Sequence, residues 1–374
     1  MVHLKVLSEK VRKALEKVVA KMRITENVYG IGLFGSWSRG DATTSSDVDL
    51  LILDKGNFNY EYVERIEIGG LLIDLDHVPK RWIHGSIPPE IDQKLYEMQI
   101  LYDRDWSLNN TKLLMVKFYG SPERVDIRTE AHVIESDIYL SRATSAFSRE
   151  DFQSAYLYTT VALENVLKVL VDIALEPFSN SRFVEKLEVS AAKMGMQDMF
   201  NEYLEIAGFN KIDNVIAKDK VKLFKVIWDE VKATTEQNLQ TLKSSHFKVK
   251  TKLNYYLNPA FLQGFAMRTN ALIDSGKVIE ATHYLNTIFL DIVENYLWLK
   301  SSSEKVKVNY TTLMRSLESL DEKNPKNYNY ILKFLNLSEI DKLNVAKAVE
   351  KTRKIMLKIR KERKVLIKNH LLKS

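Results

Sequence analysis

The sequence predicts an α+β protein: a small N-terminal mixed-sheet domain followed by an all-α, helical-bundle region. Three observations predict it. Strand-like apolar runs punctuated by glycine crowd into the first third of the chain. After Ser121-Pro122 glycine becomes scarce, and long stretches carry the period of amphipathic helices instead. The 374 residues also exceed what one hydrophobic core usually organises, so two or three domains are expected.

Residues 5–23 have helical apolar spacing, and the run VYGIGLFG (28–35) reads as a buried strand. DVDLLIL (47–53) reads as a second strand. YEYVERIEI and LLIDLDHV are separated only by Gly69-Gly70, a strong signal for a hairpin with a two-residue turn. Helical segments are expected around Pro79 and from Pro89, and MQILYD (98–103) closes the sheet. The first domain is therefore drawn at 1–118. Two helical modules follow, at 123–250 and 256–374, the second ending in a basic helix. Residues 142–171 and 268–299 share a layout, with Arg142 and Arg268, Ala155 and Ala281, and Tyr158 and Tyr284 each 126 positions apart. That reads as an internal repeat of helical hairpins, with 243–259 as the boundary between modules.

Composition removes several classes of function. There is no cysteine, which excludes disulfides, thiolate zinc sites and cysteine nucleophiles. No apolar run approaches the roughly 20 residues of a membrane span. The N-terminus lacks the compact apolar core of a signal peptide, so a cytoplasmic protein that does not engage a membrane is the default expectation. The cysteine-free, Lys-, Glu- and Ile-rich composition also fits a thermophile. The net charge of +6 is uneven: residues 347–373 hold eleven Lys or Arg against two acidic residues, so the body of the chain is mildly acidic.

The chemistry concentrates in GSWSRGDATTSSDVDL, residues 35–50. A buried strand runs into Gly35-Ser36, where the chain turns sharply and a helix begins. Glycine lets a phosphate approach the backbone N–H groups, and a helix N-terminus adds partial positive charge. Ser36, Ser38 and Arg39 lie within reach of a triphosphate. Asp47 and Asp49 then sit two apart at the start of a strand, on one face and roughly 6.5–7 Å apart. Val48 and Leu50 point into the core. Two carboxylates on one face of an apolar strand need a cation between them, and Mg²⁺ favours such oxygen ligands and is often shared with phosphates. The hairpin strand offers a third carboxylate, Asp74 or Asp76, which would complete a two-metal site for in-line displacement.

Hydrophobe-Gly-Ser, ten residues, then Asp-hydrophobe-Asp-hydrophobe resembles the signature of the DNA polymerase β-like nucleotidyltransferase superfamily, especially its small bacterial and archaeal members. The resemblance covers about residues 25–106. It implies transfer of a nucleoside monophosphate from an NTP, ATP foremost, with two Mg²⁺ ions, or Mn²⁺ in their place. It assigns catalytic and metal-binding roles to Asp47, Asp49 and Asp74, with Asp76 as the alternative third carboxylate, because Asp74-Leu75-Asp76-His77-Val78-Pro79 matches the family's run around that residue. It assigns the nucleotide to Gly35, Ser36, Ser38 and Arg39. The acceptor stays open between a small hydroxyl compound, a protein and an RNA end, and family members often form homodimers. The helical region resembles, more loosely, the HEPN-type substrate-binding bundles attached to such transferases.

Other residues carry plainer expectations. Lys80, Arg81 and His84 read as solvated residues at a helix start rather than triphosphate contacts, Asp41 as a cap or brace of the turn, and Asp103 as support for the last strand or the site rim. Tyr156, Tyr158, Tyr255, Tyr256 and Trp298, at helical spacing, read as core. Arg363 and His370 are the sole match to a HEPN ribonuclease pair, placed in a basic helix whose apolar stripe is Val345, Val349, Met356 and Ile359. That helix offers a cationic face to RNA, a membrane surface or an acidic patch, or simply to water. The competing functional readings are a nucleotide sensor that binds NTP without turnover, and an RNA-binding helical protein regulated by its transferase domain.

Overall fold

The structure, a computed structural model, describes residues 7–321 and 326–371. They form two compact units, residues up to 119 with 246–271, and residues 120–245 with 272 onward.

In the first unit, Ser8 caps α1 (Glu9–Met22) by accepting from Val11 N, with Glu9 favourably placed in the first turn. Five strands follow: β1 (Val28–Phe34), β2 (Val48–Asp54), β3 (Tyr62–Ile68), β4 (Leu71–Pro79) and β5 (Gln99–Asp103). Their order in the sheet is β3-β4-β2-β1-β5. β2 and β4 run parallel, and the other neighbours are antiparallel. Gly69 and Gly70 both take positive φ, 59° and 72°, as a two-residue type I′ turn requires. This is the mixed-sheet α+β fold expected.

Alternation along β2 splits its side chains between two cores. Val48, Leu50 and Ile52 join Ile73 and Leu75 beneath α1, against Val11, Ala14, Leu15 and Val18. Leu51 and Leu53 face the other way, with Val78, towards Leu95 of α3 (Asp92–Glu97) and Leu108 and Met115 of α4 (Ser107–Phe118). Asp49, in phase with Leu51, opens on this second side. Between β1 and β2 lies one short helix, α2 (Gly35–Arg39).

The second unit is helical. It contains α5 (Pro122–Ser148), α6 (Phe152–Ile173), α7 (Phe183–Lys193), α8 (Gln197–Ile206), α9 (Asn214–Gln237) and α10 (Leu239–Ser244). Next come α11 (Phe247–Tyr256) and α12 (Pro259–Asp274), which fall almost wholly in the first unit. The helices α13 (Val278–Glu304), α14 (Leu313–Leu320), α15 (Lys326–Leu335) and α16 (Lys342–Leu371) complete the chain. α6 is apolar nearly all round and is buried accordingly, packing on α7, α8 and α16.

These units are not the modules drawn from the sequence at 123–250 and 256–374. Residues 246–271, read as a boundary and the start of a second bundle, cluster with the sheet instead. Phe247 packs edge-on to Tyr62 at 5.5 Å, and Asn258 Nδ2 donates to the Arg65 carbonyl at 3.3 Å, so α11 covers the edge strand β3.

The repeat itself is visible in the helix order. Adding 126 to the end of α5 and the start of α6 gives the end of α12 and the start of α13. The two halves also cap each other. Ser154 Oγ on α6 accepts from Met314 N at 2.8 Å, and Asp151 Oδ2 accepts from Arg315 N at 3.2 Å, which serves the N-terminus of α14. At the equivalent place on α13, Glu280 accepts from the backbone N–H groups of Val184 and Glu185 and serves α7. Each long helix thus satisfies the exposed donors of the other half's short one.

Lys220 of α9 is only 4% exposed and donates to the Phe334 carbonyl at the end of α15 and to Asn286 at 3.3 Å. Burial pushes its ammonium down to about 7. Between that value and the ordinary lysine range the unfolded chain holds a proton that the folded chain has released, so stability rises with pH across that interval. Lys220→Met carries no such group. Its stability advantage over the native protein, measured by denaturant unfolding, should therefore shrink from pH 7 to pH 10 at up to about 1.4 kcal/mol per pH unit.

Candidate active site

At the head of β2, the carboxylates are gathered around guanidinium groups. Register pairs Asp49 with Asp74 across the parallel β2–β4 ladder, and Arg65 with Asp74 across the β3–β4 hairpin. Arg65, with a side chain 3% exposed, forks onto Asp74: Nε donates to Oδ1 and Nη2 to Oδ2, each at 2.6 Å. The same Nη2 reaches Asp47 Oδ2 at 2.6 Å. Arg268 of α12 ion-pairs with the other Asp47 oxygen, and Tyr255 of α11 donates its hydroxyl to Asp74 Oδ2 at 2.8 Å. Arg65 further lies over the Tyr255 and Phe261 rings, at 5.4 and 5.3 Å.

The three carboxylates differ electrostatically. Burial pushes Asp47 up, but Arg268 and Arg65 outweigh it and hold the group below its ordinary range. Burial raises Asp74, opposed by its hydrogen bonds and ion pair with Arg65. Asp49 is raised well above the usual value, by burial first and then by Asp47 and Asp74. Its carboxylate accepts no hydrogen bond among the described residues, and it lies directly against Gly35. Gly35 has φ +72°, and a Cβ there would collide with Asp49 Oδ2. The glycine of the motif thus makes room for a carboxylate as well as a turn. Among the described residues no three His, Asp or Glu side chains close around one point.

The other expected nucleotide contacts divide. Gly35 N–H donates to Glu97 Oε1 at 2.8 Å, and Arg39 Nη1 grips both Glu97 oxygens at 2.9 and 2.8 Å. Ser38 Oγ donates to the Glu97 carbonyl at 2.6 Å. Ser38 and Arg39 therefore brace the turn against α3, while the Ser36 hydroxyl makes no hydrogen bond among the described residues. Asp41 joins the brace, 3.3 Å from Arg39. One turn back on α3, Lys94 pairs with both Asp76 and Glu61. Burial pushes Asp76 up to about 8, with Lys94 opposing. Asp76 is thus grouped with Lys94, and Asp74 with Asp47 and Asp49.

Lys80 pairs with Asp105, and Arg81 donates to the Phe58 carbonyl at 2.7 Å, so both are engaged at the surface. Asp103 Oδ2 accepts from Asn109 N at 2.8 Å and holds α4 behind the last strand. Tyr156 and Tyr158 anchor helices through backbone carbonyls. Tyr255, expected in the core with them, instead serves Asp74. Arg363 is 6% exposed and bound to Asp126, Glu130 and Thr129, so it fixes α16 on α5 rather than facing a ribonuclease substrate.

Residues 11–106 match the nucleotidyltransferase domain family. A putative protein adenylyltransferase of Methanocaldococcus jannaschii is 38% identical over 89 residues, 22% of this chain and 86% of that protein. The chain belongs to the nucleotidyltransferase family. A solved nucleotidyltransferase-like protein of Exiguobacterium sibiricum aligns over 87% of this chain and 90% of its own, at 14% identity and a TM-score of 0.33. This nucleotidyltransferase carries three residues at its carboxylate cluster that sequence reasoning missed: Arg65, Tyr255 and Arg268.

Arg65 is the most consequential of them for stability. Removing it leaves Asp47 and Asp74 buried with one cation fewer, so Arg65→Ala should lower unfolding free energy by about 3–5 kcal/mol. Denaturant titration measures this, and a loss below about 1 kcal/mol would contradict the pairing.

Proposed function

We propose that this nucleotidyltransferase moves a nucleoside monophosphate from an NTP, ATP first, onto a hydroxyl group, and that Asp47, Asp49 and Asp74 hold its divalent metal ions. The observation that carries the reading is Asp49: a half-buried carboxylate directly against Gly35, with no hydrogen-bond donor among the described residues, pushed up by desolvation first and then by Asp47 and Asp74, at the mouth of the Gly35-Ser36 turn. Such a group is stabilised by a bound cation. Mg²⁺, or Mn²⁺ in its place, would neutralise the triphosphate and polarise the reacting phosphorus.

The chain's own residues account for the rest of the reaction. Ser36 offers its free hydroxyl to the phosphates, and the turn that presents it is held rigid by Glu97, Arg39 and Ser38. The acceptor oxygen forms its bond to the α-phosphorus as the bond to the β-phosphate bridge breaks. Pyrophosphate leaves, and the acceptor proton passes to a carboxylate of the cluster, for which Asp74 is placed on the neighbouring strand. Among acceptors a protein hydroxyl is favoured, because the Methanocaldococcus relative is described as a putative protein adenylyltransferase.

Arg268 has a defined part in this reading. It occupies the Asp47 oxygen that a metal ion needs, and at 21% exposure it is the outer and more easily displaced of the two guanidiniums. Arg268→Ala should therefore bind Mn²⁺ several-fold more tightly by electron paramagnetic resonance titration. Unchanged or weaker binding would remove the competition.

Asp49→Asn is the sharpest test of the chemistry. The variant loses a carboxylate that burial already disfavours, so its melting temperature should hold or rise. Transfer of label from α-³²P-ATP into protein, RNA or small molecules of a cell extract should vanish. Continued transfer by a folded Asp49→Asn protein would refute the assignment. Saturable ATP binding by the native protein, with no pyrophosphate released, would make the chain a nucleotide sensor.

A further inference from the structure

The cations of α16 fall into a paired and an unpaired set, and the exposed Lys354–Glu350 pair shares the outward face with the unpaired set. Four of its cations turn to the protein or to their own helix: Lys351 to Glu202 and Glu205, Lys354 to Glu350, Arg360 to Asp137, and Arg363 to Asp126 and Glu130. Lys347, Arg353, Lys358, Lys361, Lys364 and Lys368 are exposed and form no ion pair among the described residues. At 3.6 residues per turn these six fall within one outward sector, opposite the buried stripe of Val345, Thr352, Ile359 and Arg363. They run along roughly 30 Å of helix. Uncompensated cations in such a file repel one another, and a polyanion laid along them removes that repulsion.

A groove borders this file. Its volume is about 470 Å³, and it is lined by Asp137, Ser141, Thr144, Ser145 and Ser148 of α5 and by Arg353 of α16. Three of the hydroxyls donate inward: Thr144 to the Leu140 carbonyl at 2.9 Å, Ser148 to the Ser145 carbonyl at 2.9 Å, and Ser145 to Thr311 Oγ1 at 3.4 Å. Their oxygens therefore face the groove as acceptors. A ligand that fits must offer hydrogen-bond donors next to a line of negative charge. A phosphodiester has no donors, whereas ribose 2′-hydroxyls and base amino groups lie beside the phosphates of RNA.

We propose that the outward face of α16 and the adjoining α5 groove form an RNA-binding surface, in which the six cations take phosphates and the groove takes ribose hydroxyls. This surface belongs entirely to the second unit. It does not rest on the transfer chemistry, which can be assayed separately.

The test uses the full chain and a fluorescein-labelled single-stranded RNA, titrated by anisotropy at several salt concentrations. The triple variant Lys358→Glu, Lys361→Glu, Lys364→Glu changes only exposed side chains, and its melting temperature and nucleotidyl transfer should match the native protein. Its RNA affinity should fall at least about tenfold, with the log-affinity against log-salt slope shallower by about 2, from roughly 0.7 for each of three lost phosphate contacts. Ser141→Ala with Arg353→Ala should reduce the preference for RNA over DNA of the same sequence. Equal affinity of the native and triple-variant proteins for RNA would overturn the proposal. So would native binding to DNA as tight as to RNA, or capture by phosphatidylserine vesicles in preference to RNA.

Discussion

Placing Asp47 and Asp74 almost out of water in the same corner of a small sheet is unfavourable by several kcal/mol for each unpaired charge, and Arg65 makes it tolerable. Its planar fork meets Asp74 with two bonds, and the Nη2 that makes one of them also reaches Asp47. A lysine could not span both. Much of the first unit is arranged around this one guanidinium. β3 must pair with β4 in the register that sets Arg65 opposite Asp74, and β4 must lie parallel to β2 so that Asp49 comes alongside. α11 and α12 must then cover the sheet edge, where they add a hydroxyl and a second guanidinium. The aromatic rings of Tyr255 and Phe261 beneath Arg65 exclude water and strengthen each of these bonds.

How much of this could be read from the sequence follows from which interactions are local. The five strands, the Gly69-Gly70 turn and the Gly35-Ser36 bend are set by alternation and by glycine, and both are visible in short windows. Arg65 was also within reach. A two-residue turn at 69–70 forces Ile68 opposite Leu71, and counting outward puts Arg65 opposite Asp74. The register implied by that turn, which sets a cation directly opposite a carboxylate, is the signal for this pair. Tyr255 and Arg268 lie 181 and 221 positions from their partners, and no periodicity connects them. The same segment, rich in Lys, Ser and Asn, looked like a boundary because its composition is that of a linker. Burial against β3, which composition does not record, makes it part of the first unit. Ser38 and Arg39 show a contact that local sequence does not reveal. Their position in the motif points to phosphate, but Glu97, some 58 residues on, claims them.

The helical repeat rests on a different constraint. A short helix such as α7 or α14 begins with orphan N–H groups that no nearby side chain caps well. In each half the missing acceptor comes from the first turn of the other half's long helix: Ser154 with Asp151 for α14, Glu280 for α7. Ser154 and Glu280 are equivalent by position and unlike in chemistry. The neutral hydroxyl is helped by a second residue, whereas the carboxylate acts alone and is raised mainly by burial. The geometry of the exchange is alike in the two halves while the groups that carry it differ. That is why residue matches at a fixed offset were few although the helix ends coincide.

The part of the chain that matches the family ends at residue 106, yet the carboxylate cluster does not. Asp74 takes its third hydrogen bond from Tyr255, and Asp47 its second cation from Arg268. A sheet cut at the end of the matched segment would keep Arg65 against the two carboxylates and lose both of these contacts, together with the cover over β3. The charge balance at the cluster would move from three carboxylates and two guanidiniums to three and one. Burial would fall at the same time, weakening the upward push on Asp49 that singles it out. The electrostatic character of this centre is therefore a property of the folded first unit as a whole, written partly in a segment that follows the sheet by more than a hundred residues.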